Sequence, residues 1–264
     1  MKLRIPRWPS LLVMALFASS ACTLVLFYPP VANRSQISFS SIDCGALPPY
    51  VQTDFLQQVR RQGNFPELLD SQQSDLLGRL YKAFTSHPWV EKVSSVRLTG
   101  IQHITANVHF REPVAVCYGQ SRTWTIDHKG YLLPEILPPF HAQLIPIEGM
   151  QDPPPVHPGE LWPEASLVAA LATAIKRERA VLGIAAIVHQ KDPLQSTVLF
   201  RTVGGSQILW SNNGTTPSES ADVAKLRRLR EYVVEYGSLD APDGPYHFDI
   251  RTPAEGLLRQ PLGR

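Results

Sequence analysis

The chain is short of the residues that announce chemistry. Three cysteines among 264 residues supply neither a disulfide framework nor the closely spaced cysteine–histidine sets that hold zinc. Cys22 falls in an apolar run, and Cys44 and Cys117 read as two small buried side chains rather than a bridge. No Gly-x-Ser-x-Gly elbow and no His-Glu-x-x-His helix occurs, so neither a nucleophilic serine nor a zinc hydrolase is signposted. His103 and His109 share the polar face of one strand, but six residues at ~3.3 Å hold them about 20 Å apart, too far for one metal. No catalytic, cofactor or metal site is expected, and the chain reads as a non-enzyme. Charge of one sign is scarce as well. The formal net charge is +2, and about −1 without Lys2, Arg4 and Arg7, which leaves no basic surface for nucleic acid.

What the sequence does have begins at the N-terminus. Residues Leu11 to Tyr28 carry no charge, and eighteen residues at ~1.5 Å rise make a helix of about 27 Å, nearly the thickness of a bilayer core. Basic residues precede this run and only Arg34 soon follows it, so a single span is expected with residues 1–10 as a short cytoplasmic tail. The bulk of the chain is then expected in the periplasm, at the inner membrane. Ser19-Ser20-Ala21-Cys22 also suits a cleavable lipoprotein signal, but Thr23 to Tyr28 continue the apolar run past the would-be cut. Pro29-Pro30 stops the helix.

Beyond it, periodicity sets the elements. Ile37–Phe39 reads as a short strand. Phe55, Leu56 and Val59 give a helix within 51–62, and Leu76, Leu77, Leu80, Tyr81 and Phe84 give a second, with Asp70 and Gln73 as its capping box. Val90 to Leu98 alternate irregularly, whereas Ile104, Ala106, Val108 and Phe110 alternate strictly with polar neighbours, the mark of a strand with one buried face. Trp89 is expected to plug the core. Further strands are expected over 114–118, 123–126, 131–133, 144–149, 184–188, 197–202, 207–210 and 246–251, with Gly256 to Leu258 as a last one. One helix runs from Glu164 to Gly183. Another begins at the cap Thr216-Pro217-Ser218-Glu219, with Val223, Leu226, Leu229, Val233 and Tyr236 inward and Lys225, Arg227, Arg228 and Arg230 in solvent.

His87-Pro88-Trp89-Val90 with Val93 and Val96, then Arg111-Glu112-Pro113-Val114-Ala115, Asp127-x-x-Gly130, Lys225-Leu226-x-x-Leu229 and Phe248-Asp249-Ile250-Arg251, resemble in kind and order the FtsQ/DivIB family of bacterial cell-division proteins. The resemblance covers almost the whole chain. It implies an α+β fold: the single N-terminal transmembrane helix (11–28), a POTRA-like strand–helix–helix–strand–strand domain (35–113), and a mixed β-rich domain with packed helices (114–258), ending in a tail (259–264). It further implies a divisome scaffold in septum formation, recruiting FtsB-like and FtsL-like proteins and meeting other division proteins through the POTRA part, without cofactor or small-molecule substrate. The partner strand would add at the C-terminal edge. The matching positions are Arg251, Thr252, Ala254, Gly256, Leu257 and Leu258, with Pro253 interrupting the ladder. A membrane-anchored envelope lipoprotein and a cell-wall enzyme are the alternatives.

Overall fold

The computed structural model describes residues 36–100, 102–119, 122–136, 138–192, 195–212, 219–251 and 258–262. The expected span at Leu11 to Tyr28 and the cap at Thr216 to Ser218 lie outside the described residues.

The first part of the chain forms two ribbons and two helices. β1 (Gln36–Ser38) pairs antiparallel with β2 (Leu68–Asp70), placing Ile37 opposite Leu69. α1 (Phe55–Gln62) and α2 (Leu76–Thr85) flank β2 in sequence, and each buries one stripe: Phe55 and Val59 on the first, Leu76, Leu80, Ala83 and Phe84 on the second. β3 (Val90–Thr99) and β4 (His103–Phe110) make the second ribbon. Register shifts at Val90/Lys92 and Val93/Ser95 account for the irregular alternation of β3, since each extra residue flips the side chains that follow it. β4 buries Ile104 and Ala106 and exposes Asn107 and His109. Trp89, 1% exposed, sits at the centre of this core.

The remaining strands join one sheet. They are β5 (Pro113–Tyr118), β6 (Thr123–Asp127), β7 (Leu132–Leu133), β8 (Ile145–Glu148), β9 (Ile184–Asp192), β10 (Gln195–Thr202), β11 (Gln207–Asn212), β12 (Tyr246–Asp249) and β13 (Leu258–Pro261), in the spatial order β13-β12-β11-β10-β9-β8-β5-β6-β7. The helices between them are α3 (Pro138–His141), α4 (Pro163–Ile175), α5 (Arg179–Leu182) and α6 (Glu219–Tyr236). α4 and α5 carry the chain from β8 to the parallel β9, and α6 carries it from β11 to the parallel β12. Parallel neighbours need such a crossover. Val168, Leu171 and Ile175 of α4 and Leu226 and Leu229 of α6 pack with Ile147, Ile187, Phe200 and Phe248 of the sheet in the larger core.

These observations correct the expected fold class. The chain is mixed α/β, with a nine-stranded sheet and six α-helices among the described residues, and no helix there is long and apolar enough to cross a membrane. The POTRA-like arrangement fails at β2. Leu68-Leu69-Asp70 pairs with β1, so β3 and β4 stand as a separate ribbon, joined by backbone pairing to the first strand region, among the described residues, at the Asp43–Thr105 bridge. Asp70 consequently caps no helix: its Oδ1 accepts the Gln72 amide at 3.0 Å, and α2 begins six residues after Asp70 without a side-chain cap. The helix expected to Gly183 breaks at 176–178 into α4 and α5, and Gly183, at φ +63°, ends the second.

The two cores meet without a spacer. Val116, Leu133, Ile136 and Leu144 of the later chain belong to the core built around Trp89. At the seam, Arg111 Nη1 donates to Asp127 Oδ2 at 2.6 Å with the Asp127 side chain fully buried, and the Arg111 guanidinium lies 3.9 Å from the centre of the Tyr131 ring. Lys129 pairs with Glu91 at 2.7 Å and Lys176 with Glu112 at 2.5 Å. The Lys129 hydrogen bond also holds the Glu91 carboxyl below its ordinary pKa.

Candidate functional site

The ends of the nine-stranded sheet differ. β7 has its outer edge occupied: Leu132 N donates to Glu160 O at 2.9 Å, Gly159 N donates to Leu132 O at 2.7 Å, and Tyr131 bridges Leu161. An edge covered by a loop cannot take another strand. Among the described residues β13, at the other end, pairs only with β12, in the register Tyr246–Pro261, His247–Gln260, Phe248–Arg259 and Asp249–Leu258.

The phase of that pairing follows from the flanking bonds. Leu262 N donates to Pro245 O at 2.9 Å, while Tyr246 N and Ile250 N turn the other way, to Ser206 Oγ at 2.9 Å and Leu209 O at 3.3 Å. Antiparallel ladders alternate, so Leu258 and Gln260 face β12 with their backbone groups, and Arg259 and Pro261 face outward with theirs. Pro261 has no N–H. The free edge therefore offers the Arg259 N–H as donor and the Arg259 and Pro261 carbonyls as acceptors.

The side chains beside this edge are ordered by aromatic groups. Arg259 Nη1 donates to Tyr232 Oη at 2.6 Å, and its guanidinium lies 5.7, 5.2 and 5.2 Å from the ring centres of Tyr232, Tyr236 and Tyr246. Tyr232 packs edge-on against Phe248, and its hydroxyl donates to Ala241 O at 2.8 Å. Arg251 is exposed and forms a fork with Asp249, with Nε to Oδ1 at 2.9 Å and Nη2 to Oδ2 at 2.5 Å, which lowers the Asp249 pKa. Of the six positions matched to the edge, Arg251 lies just past β12 and Leu258 opens β13 opposite Asp249. Thr252, Ala254, Gly256 and Leu257 lie outside the described residues.

α6 presents its basic residues in two ways. Arg227 and Arg230 are exposed and pair with Glu231 and Glu178. The expectation of a wholly solvated basic face is corrected at the others: Lys225 Nζ donates to Trp210 O at 2.9 Å, and Arg228 Nη2 to Ile250 O at 3.1 Å, tying the helix to the sheet. Val223, expected inward, is 57% exposed because Asp222 takes the inward place.

A second polar group has no signature in the sequence. His189 Nε2 lies 2.7 Å from Ser196 Oγ, and His189 Nδ1 lies 3.0 Å from Glu164 Oε1, with both His189 and Glu164 buried. The order serine–histidine–carboxylate is that of an acyl-transfer triad. Nδ1 nevertheless has no aligned hydrogen bond, and the Glu164 carboxylate is taken by the amides of Gln151 and Asp152 at 2.6–3.1 Å. The group braces α4, the loop after β8 and the β9–β10 hairpin. Among the described residues no three His, Cys, Asp or Glu side chains are placed to hold a metal ion. Cys44 and Cys117 are free thiols, both pushed up to about 12, chiefly by burial. No protein-family model and no curated protein matches the chain.

Proposed function

We propose that the chain is a scaffold of the bacterial division machinery, of the FtsQ/DivIB kind, that receives a partner strand on β13. The observation that carries the reading is the unequal pair of sheet edges: β7 is closed by its own loop, and β13 presents a donor and acceptors outward. An added strand satisfies these groups through main-chain hydrogen bonds, with little demand on its side chains. The order of the Arg111-Glu112-Pro113, Asp127-x-x-Gly130 and Phe248-Asp249-Ile250-Arg251 segments supports the division context, and FtsB-like and FtsL-like proteins are the partners proposed. Location at the inner membrane with the bulk of the chain in the periplasm belongs to the same proposal. It rests on the sequence of residues 11–28, outside the described residues. In this reading the chain catalyses nothing at the edge.

Two substitutions at one position test it. Arg259→Pro deletes the outward donor, while Arg259→Ala keeps it and removes the side chain from the tyrosines. Strand addition predicts that cross-linked capture of an FtsB-like partner falls by up to about tenfold for Arg259→Pro, one backbone hydrogen bond being lost. Arg259→Ala keeps most of the capture. Equal capture by both variants removes the edge from the proposal; depletion of the chain with normal septa removes the division role.

A further inference from the structure

At the closed end of the sheet an open groove of about 1010 Å³ lies beside β6 and β7, walled by α3 and by the proline-rich loop over 153–158. It is roughly 35–40 Å along the sheet from β13, eight strand spacings away. Trp124, half-buried, lines it together with Arg122, Thr123, Glu135 and His141. The indole is held from behind. A Cβ on Gly119 would come within 2.2 Å of the Trp124 ring, so the ring lies directly on the Gly119 backbone, and its edge meets the buried Trp162 with ring centres 6.1 Å apart. A flat aromatic surface fixed in advance loses little entropy on binding.

The chemistry of the walls selects the ligand. Pro154, Pro155 and Pro158 line the groove and have no N–H to offer, and the outer edge of β7 is already paired with the 159–161 segment. An extended peptide therefore finds no backbone ladder here. What remains is an aromatic face for C–H groups, with a guanidinium, a carboxylate, an imidazole and a hydroxyl for equatorial polar groups. Both signs of charge are present, which disfavours a polyanion. An acetamido group offers an N–H to a carboxylate and a carbonyl to a guanidinium, the two groups that Glu135 and Arg122 bring to the lining.

We propose that this groove binds an N-acetylated amino-sugar oligosaccharide, one pyranose ring lying on Trp124. The inference is independent of strand addition at β13, since it uses other residues at the opposite end of the sheet. Calorimetric titration of the full chain with the tetramer of N-acetylglucosamine tests it, beside cellotetraose as the same ring shape without acetamido groups. Saturable binding is expected, weakened about tenfold by Trp124→Ala and by Gly119→Ala, which keeps the indole but displaces it. Glu135→Gln, at an exposed position, weakens it with the fold unchanged by circular dichroism. Absence of wild-type binding, affinity untouched by Trp124→Ala and Glu135→Gln, equal affinity for cellotetraose, or preference for a proline-rich peptide each overturns the assignment.

Discussion

Asp127→Ala is expected to cost about 3–5 kcal/mol of unfolding free energy, because it strands a buried guanidinium. Three bonds converge on this carboxylate: Arg111 Nη1 at 2.6 Å on Oδ2, and the amides of Lys129 and Tyr131, each at 2.9 Å on Oδ1. Arg111 is only 11% exposed, and its stacking on Tyr131 offers no counter-charge. With Asp127 gone, Arg111 keeps its desolvation and loses its partner, while two turn amides lose their acceptor. The exposed Lys191–Asp152 pair, at 2.7 Å, is the internal control. Asp152→Ala is expected to leave the unfolding midpoint nearly unchanged, since water already screens this pair. Denaturant unfolding of both variants checks this, and similar losses for the two would show that the seam between the cores does not depend on its buried ion pair.

The second large effect is a loss of stability in mild acid, centred on His87. Its ring is buried edge-on against Phe55, with centres 4.8 Å apart. Nδ1 accepts the Trp89 amide at 3.3 Å and Nε2 lies 3.2 Å from Gln58 Oε1. A backbone N–H only donates, so Nδ1 carries no proton and Nε2–H donates to Gln58. Protonation would set two N–H groups against each other. Burial lowers the His87 pKa from 6.5 to about 4, against the pull of the Asp54 carboxylate. The sign follows from linkage: above pH 6.5 the ring is neutral in both states and the contribution is complete. Between pH 6.5 and about 4 the unfolded chain takes the proton first, so stability falls, by about 3 kcal/mol at most, and levels off below. His87→Gln should remove that part of the slope between pH 6.5 and 4. An unchanged pH profile in the variant would assign the acid sensitivity elsewhere.

What the sequence disclosed depended on whether a residue's role was local. Strict alternation from Ile104 to Phe110 disclosed β4, because one face of it is buried and the other wet. The strands expected over 197–202 and 207–210 are β10 and β11, paired antiparallel, and the one expected over 246–251 is β12, Tyr246 to Asp249. β2 was missed because three residues with one buried side chain carry no period, and Asp70 at its end imitated a helix cap. Of the six edge positions, matched by order alone, Arg251 and Leu258 lie beside the β12–β13 pairing, and the other four fall outside the described residues. Arg259 escaped because its aromatic neighbours come from α6 and β12, 13–27 positions away, a contact with no short-range trace. Trp124 and its groove escaped likewise, since the walls come from four separate segments. Val223 went wrong for a physical reason of another kind: helical spacing locates a face, but a neighbouring carboxylate, Asp222, occupies the inward place.

The loop that seals β7 also leaves the nine-stranded sheet a single margin for the proposed strand addition. A sheet open at both margins can pass the pattern on, each newcomer exposing a fresh margin until a fibre grows. Under the proposed strand addition, this sheet would recruit in a single direction, an incoming strand meeting no second acceptor at the β7 end. An assembly built in the proposed way would be counted on this sheet, one strand for each copy, its size set by the supply of copies rather than by runaway propagation.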